Sequence, residues 1–165
     1  MMDFFEWTPA GPRPLDDLLI ARRAWRAEGR ALVSTNGCFD LLHPGHVRFL
    51  QQARAQGGVL IVGLNSDESV CQLKGPGRPL LGQDDRAAML AALRCVDHVV
   101  VFAQPLANDL LARLQPDIHC KGGDYTAEAL PEAEIIRQGG GQVCILPFAA
   151  GYSTTGLLRT IRTGA

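Results

Sequence analysis

His43 and His46 stand on either side of a Pro-Gly pair in the segment TNGCFDLLHPGHVRFL. Pro44 suits the first position of a helix, where a missing N–H costs nothing, so the two imidazoles lie one turn apart at a helix N-terminus and on the same side. Such a terminus offers unpaired N–H groups and a partial positive charge, which suit phosphate. Gly45 removes a side chain and lets a phosphate chain approach the backbone. Asn36, Gly37, Cys38, Phe39 and Asp40 lead into the same turn and complete a candidate binding loop. Two other readings compete: His43 as a turn cap beside a surface His46, and metal ligation by the histidines with Asp40 or Cys38. The helix-start proline favours anion binding, and no further ligand pair stands nearby.

Four more segments carry usable groups. In GLNSDESV, Asn65, Ser66 and Asp67 are all good helix caps; one of them fills that role, leaving the others free for a ligand. KGPGRPLLG, residues 74–82, is rich in Gly and Pro and reads as a mobile lid, with Lys74 and Arg78 either binding phosphate or lying on a surface loop. In CKGGDY, Lys121 and Asp124 flank Gly122 and Gly123; the Asp124 carboxylate either accepts from sugar hydroxyls or caps the next helix. GYSTTGLL places Ser153, Thr154 and Thr155, preceded by Gly151, at another helix start.

These segments need a frame. Short apolar runs at 31–35, 59–64, 98–102, 118–120 and 143–147 alternate with amphipathic stretches that begin near Pro44, Asp84, Leu106, Glu128 and Thr154, with a short one after Asp67. Several runs lack polar alternation, as expected of parallel strands covered on both faces. The reading is an α/β, doubly wound, five-stranded parallel sheet, whose ligand loops follow the carboxyl ends of the strands. A leading helix starts at Leu15 and ends at a Gly29 cap. Residues 1–14, with three prolines and the aromatics Phe4, Phe5 and Trp7, form an N-terminal arm on the 15–165 domain or on a neighbouring subunit.

Composition narrows the function. The 165 residues carry 16 Lys+Arg against 17 Asp+Glu, a net charge of −1, which gives no field for a nucleic acid or an acidic membrane. At 47% hydrophobic and 20% charged, the chain is expected to fold around one core. Five scattered cysteines fit a reducing compartment, and no signal-like start or spanning run is read, so the expected location is cytoplasmic. Neither a P-loop nor a Gly-x-Gly-x-x-Gly fingerprint is present, which disfavours P-loop kinases and dinucleotide dehydrogenases. Without a nucleophile and paired base, the loops suit phosphoryl-type transfer by positioning and charge stabilisation.

GCFDLLHPGH resembles the HxGH signature of a nucleotidyltransferase superfamily, and GYSTT its late Ser-Thr motif. With NSDESV, LKGPGRP, DDRAAMLAAL, VDHVV and PDIHCKGGDY, residues 15–163 are similar to the heptose 1-phosphate adenylyltransferase family. The resemblance implies a Rossmann-like fold and transfer of AMP from ATP to D-glycero-β-D-manno-heptose 1-phosphate, giving ADP-heptose and pyrophosphate for bacterial surface polysaccharide such as lipopolysaccharide. It implies that His43 and His46 stabilise the α-phosphate transition state and the leaving pyrophosphate, with Lys74 and Arg78 on substrate phosphates. Ser153, Thr154 and Thr155 would hold the β and γ groups, and Asp124 would contact nucleotide or heptose. Mg²⁺ would be carried mainly by ATP phosphates, with no protein metal site. A homo-oligomer and a separate upstream heptose kinase are further expectations, the chain being too short to include a kinase. Phe148, Ala149 and Ala150 replace the Arg-Thr-Glu of glycerol-phosphate cytidylyltransferases, which weakens a CTP and glycerol-phosphate alternative. A non-catalytic nucleotide-binding module is the remaining alternative.

Overall fold

The protein is described from a computed structural model, which places residues 11–123, 130–147 and 151–164. The arm aromatics Phe4, Phe5 and Trp7, together with Asp124 and residues 148–150, lie outside the described residues. In chain order the elements are α1 (Leu15–Ala27), β1 (Leu32–Gly37), α2 (Pro44–Arg54), β2 (Val59–Asn65), α3 (Asp67–Lys74), α4 (Gln83–Ala91), β3 (His98–Phe102), α5 (Asn108–Leu114), β4 (Ile118–Gly122), α6 (Ala133–Gln138), β5 (Gln142–Leu146) and α7 (Thr154–Thr163).

The strands form one parallel sheet in the order β3-β2-β1-β4-β5. β2 reads VLIVGLN and is buried at every position, as a strand with helices on both faces must be. On one face Phe49, Leu50 and Ala53 of α2 and Ala87 and Leu90 of α4 pack against Val33, Leu60, Val62 and Leu64. On the other, Leu18 and Trp25 of α1, Leu110, Leu111 and Leu114 of α5 and Ile136 of α6 cover Leu32, Val59 and Ile61. The fold is therefore a doubly wound, Rossmann-like α/β domain. Successive connections leave β1 toward β2 on one side and reach β4 on the other. The carboxyl ends of β1 and β4 thus border the switch point where ligands bind in such sheets.

Partly exposed carboxylates brace the opposite end. Asp117 accepts from the Leu32 amide at 2.7 Å and pairs with Arg22 at 2.8 Å; Asp97 accepts from the Leu60 amide at 2.7 Å and pairs with Arg54 at 3.0 Å. Several boundaries differ from the sequence expectation. α6 begins at Ala133 and α5 at Asn108, later than read. β4 runs on through Lys121 and Gly122 because these pair with Ile145 and Leu146 of β5, so both are strand residues where a loop was expected. Lys74 closes α3 and does not lie on the following loop.

Candidate functional site

Two helix N-termini meet above the carboxyl end of β1. At α2, His43 is the cap: its Nδ1 accepts from the His46 amide at 3.3 Å, and Pro44 follows as the first helical residue. The capping and ligand readings of His43 are therefore compatible. An acceptor Nδ1 in a neutral imidazole leaves the ring proton on Nε2. The two imidazoles stack with centroids 3.7 Å apart. Burial lowers the pKa of His43. Burial, then the charges of His43 and Lys74, push His46 down to about 4, against a weaker opposing pull from the Leu41 backbone. Both rings are neutral at pH 7.

At α7, Ser153 caps the helix by accepting from the Gly156 amide at 2.9 Å. Gly45 joins the two termini. A Cβ there would meet His43 Nδ1 and Tyr152 Cβ, each at 3.0 Å, so a side chain would push the α7 entry away from α2. The sequence assigned Gly45 to phosphate approach; its visible role is to let Tyr152 close against His43, with ring centroids 6.3 Å apart.

Below lies a cleft of about 520 Å³. It brings together Asn36, Gly37, Cys38, Phe39, His46, Lys74, Lys121, Gly122 and Thr154 from the residues singled out in the sequence. Phe39 is buried with φ of 43°, a left-handed backbone that a bulky residue rarely adopts. That turn carries the chain from β1 to α2 and sets the Phe39 ring 5.2 Å from His46. Burial pushes the Cys38 thiol up, so it stays protonated and is a poor nucleophile at neutral pH. Gly151, Ser153 and Thr155 sit exposed at the α7 entry beside Thr154.

Other residues stand apart. Asn65 is 2% exposed and spends its amide on Ser69 Oγ and the Gln104 carbonyl, while Ser66 caps α3 by accepting from Ser69. Asp67 pairs with Arg86 at 2.7 Å. Sequence reading passed over Arg86, which is 1% exposed and also donates to the carbonyls of Cys38, Asn65 and Leu81. It ties the ends of β1 and β2 to the loop before α4. Its signal in DDRAAML, a charge on the face of α4 shared with Leu90, is that of any salt-bridged helix arginine.

Asp40 is the latch of the Gly-Pro loop. It is 1% exposed, accepts from the Leu80 and Leu81 amides at 2.7 and 3.3 Å, and pairs with Arg78 at 3.0 Å. The loop read as an open excursion is thus fastened to the turn that carries the histidines, and Arg78 faces Asp40. Replacing Asp40 with alanine leaves Arg78 without its counter-charge and the two amides without their acceptor. Limited proteolysis between Gly75 and Gly82 should accelerate in the variant; an unchanged cleavage rate refutes the latch.

A 3-2-1-4-5 parallel sheet with a helix N-terminus at the end of β1 defines a Rossmann-like α/β domain. The chain belongs to the cytidylyltransferase-like family, whose pattern matches residues 34–154. It is 50% identical over 151 residues to the bifunctional protein HldE of Geotalea uraniireducens, covering 92% of this chain and 31% of that protein. With the HldE of Hyphomonas neptunium it shares 47% identity over 155 residues, covering 94% and 32%. The chain thus spans about a third of the length of these curated relatives. The crystal structure of a lipopolysaccharide core biosynthesis protein from Thermoplasma volcanium superposes with a TM-score of 0.59 at 27% identity, covering 73% of this chain and 98% of that one. Among the described residues no helix is long and apolar enough to cross a membrane.

Proposed function

We propose that this chain is a sugar 1-phosphate adenylyltransferase. It transfers AMP from ATP to D-glycero-β-D-manno-heptose 1-phosphate, releasing pyrophosphate and forming ADP-heptose for bacterial surface polysaccharide. The observation that carries the reading is the meeting of α2 and α7 through Gly45 and Tyr152, with stacked His43 and His46 between them and the cleft below. A triphosphate laid across both termini receives backbone N–H groups from each, with the hydroxyls of Ser153, Thr154 and Thr155 at the α7 end. A heptose phosphate oxygen attacks the α-phosphorus in line, the bond to the β-phosphate oxygen breaks, and pyrophosphate leaves. Imidazole N–H groups aimed at the α-phosphate stabilise the charge that develops there, and no covalent enzyme intermediate is needed.

Lys74, exposed at the cleft mouth, supplies a movable cation. Arg78 joins it once a substrate phosphate competes with Asp40. Among the described residues the carboxylates lining the cleft are Asp40 and Glu132, each committed to a cation, Arg78 and Lys121. Mg²⁺ therefore enters this reading through the triphosphate oxygens, where it neutralises charge. A heptose kinase supplies the sugar phosphate, in keeping with relatives named bifunctional. The five scattered cysteines, all free thiols, support a cytoplasmic enzyme, and the aromatic arm a homo-oligomer.

The test is pyrophosphate release with Mg²⁺, offering ATP or CTP against β-heptose 1-phosphate or glycerol 3-phosphate. Release with ATP and the heptose phosphate is expected. Release only with CTP and glycerol phosphate, or none in any pair, refutes the assignment.

A further inference from the structure

Lys121 of β4 and Glu132, the residue before α6, form an ion pair of 2.8 Å in the wall of the cleft, with side chains 20% and 5% exposed. Lys121 is thereby a poor phosphate ligand: an anion approaching its ammonium meets a carboxylate at hydrogen-bond distance. Burial raises the Glu132 carboxyl, but the hydrogen bond and charge of Lys121 outweigh it and hold the group below its usual range. Glu132 is therefore an acceptor only at neutral pH, and Lys121 a donor only. Leu106, Leu130 and Pro131 line the same cleft and give this pair an apolar setting. A flat ring with a polar edge suits such a wall, because apolar surface supplies contact while a few polar groups fix orientation. The Oδ1 of Asn36, also in the wall, is buried without a hydrogen-bond partner among the described residues and offers another acceptor inside the cleft.

We propose that the Lys121–Glu132 pair reads the edge of the nucleotide base and selects an amino-substituted ring. This rests on the reading that the cleft takes a nucleoside triphosphate. The exocyclic amine of adenine donates to Glu132 and the adjacent ring nitrogen accepts from Lys121. A hypoxanthine ring reverses both positions: its 6-oxo group faces a carboxylate and its N1–H faces an ammonium. Cytosine presents the same amine and ring nitrogen as adenine, so the pair rejects oxo bases without distinguishing ATP from CTP. The position fits the phosphate sites, since β4 also lies beside β1, whose following helix, α2, carries the histidines at the α-phosphate, the end of the triphosphate that bears the nucleoside in that reading.

The experiment is calorimetric titration of the full chain with MgATP and MgITP, without acceptor so that no turnover occurs. A matched pair of base-edge hydrogen bonds discriminates by about 1–3 kcal/mol, or roughly 5- to 150-fold, so ATP should bind tighter than ITP by a factor in that range. Glu132→Gln can donate to the 6-oxo group, and it should weaken ATP while bringing the ATP to ITP ratio near unity. Equal affinities in the unaltered protein overturn the proposal while leaving the nucleotide reading intact, and this comparison does not depend on the variant folding. A Glu132→Gln protein that weakens both nucleotides equally also overturns it, since a merely structural role predicts that result. Binding of neither nucleotide overturns the nucleotide reading and this proposal together.

Discussion

Replacing His46 with alanine should lower kcat by about 10²–10³-fold, the scale observed when one preorganised donor to transition-state charge is lost. The KM for ATP should change far less, because backbone groups of two helix termini remain to hold the triphosphate. His46 lines the cleft while His43 Nδ1 caps α2, so truncating the His46 side chain leaves the helix start intact. Steady-state pyrophosphate release measures both constants, and a kcat close to the unaltered value removes His46 from the chemistry. The pH profile adds an independent check. With its pKa near 4 in the free protein, His46 is already neutral from pH 6 upward and donates a single N–H. The kcat/KM profile reports the free enzyme, so it should show no His46 titration between pH 6 and 8. An inflection in that window that vanishes in His46→Ala contradicts the neutral ring.

The largest expected loss of stability follows Arg86→Leu, at about 3–5 kcal/mol, the range for removing one partner of a buried ionic network. Asp67 is 46% exposed and regains water when its partner goes, so little of the effect comes from that carboxylate. Most comes from the Asn65 carbonyl, which loses its donor in a buried setting, and the part-buried Cys38 and Leu81 carbonyls, at roughly 1–3 kcal/mol each when unsatisfied, partly relieved by relaxation. Asp67→Ala is the contrast: it leaves those three bonds in place but takes the counter-charge from a buried guanidinium, so it should cost about 1–3 kcal/mol, less than Arg86→Leu. Urea unfolding of the two variants separates them, and an Arg86→Leu protein within 1 kcal/mol of the parent refutes the role given to this side chain. Because Arg86 holds the carbonyl of Cys38, partial unfolding there should also disturb the turn that aims His46.

The alternation of β-branched runs with helical stretches determined the layer order of this protein. β2 is apolar from Val59 to Leu64 because both its faces are covered, and that requirement is written residue by residue. The local start signals were equally legible: Pro44 after His43, Ser153 before Thr154 and Ser66 before Asp67 each mark a helix N-terminus through groups within three residues of one another. The histidine pair was readable for the same reason, since a one-turn spacing is a local property.

Contacts between distant segments were decided by the tertiary structure. Asp40 latches residues 78–81, Arg86 reaches the carbonyls of Cys38 after β1 and Asn65 at the end of β2, and Gly45 makes room for Tyr152, all across separations that periodicity does not encode. Lys121 was readable as a cation near a ligand loop, yet its neutralisation by Glu132 depends on where β4 ends and α6 begins. Local spacing sets which backbone groups are exposed at a helix start. Only packing of the whole chain sets which charges are desolvated together, and desolvation decides whether a lysine binds phosphate or holds a carboxylate in place.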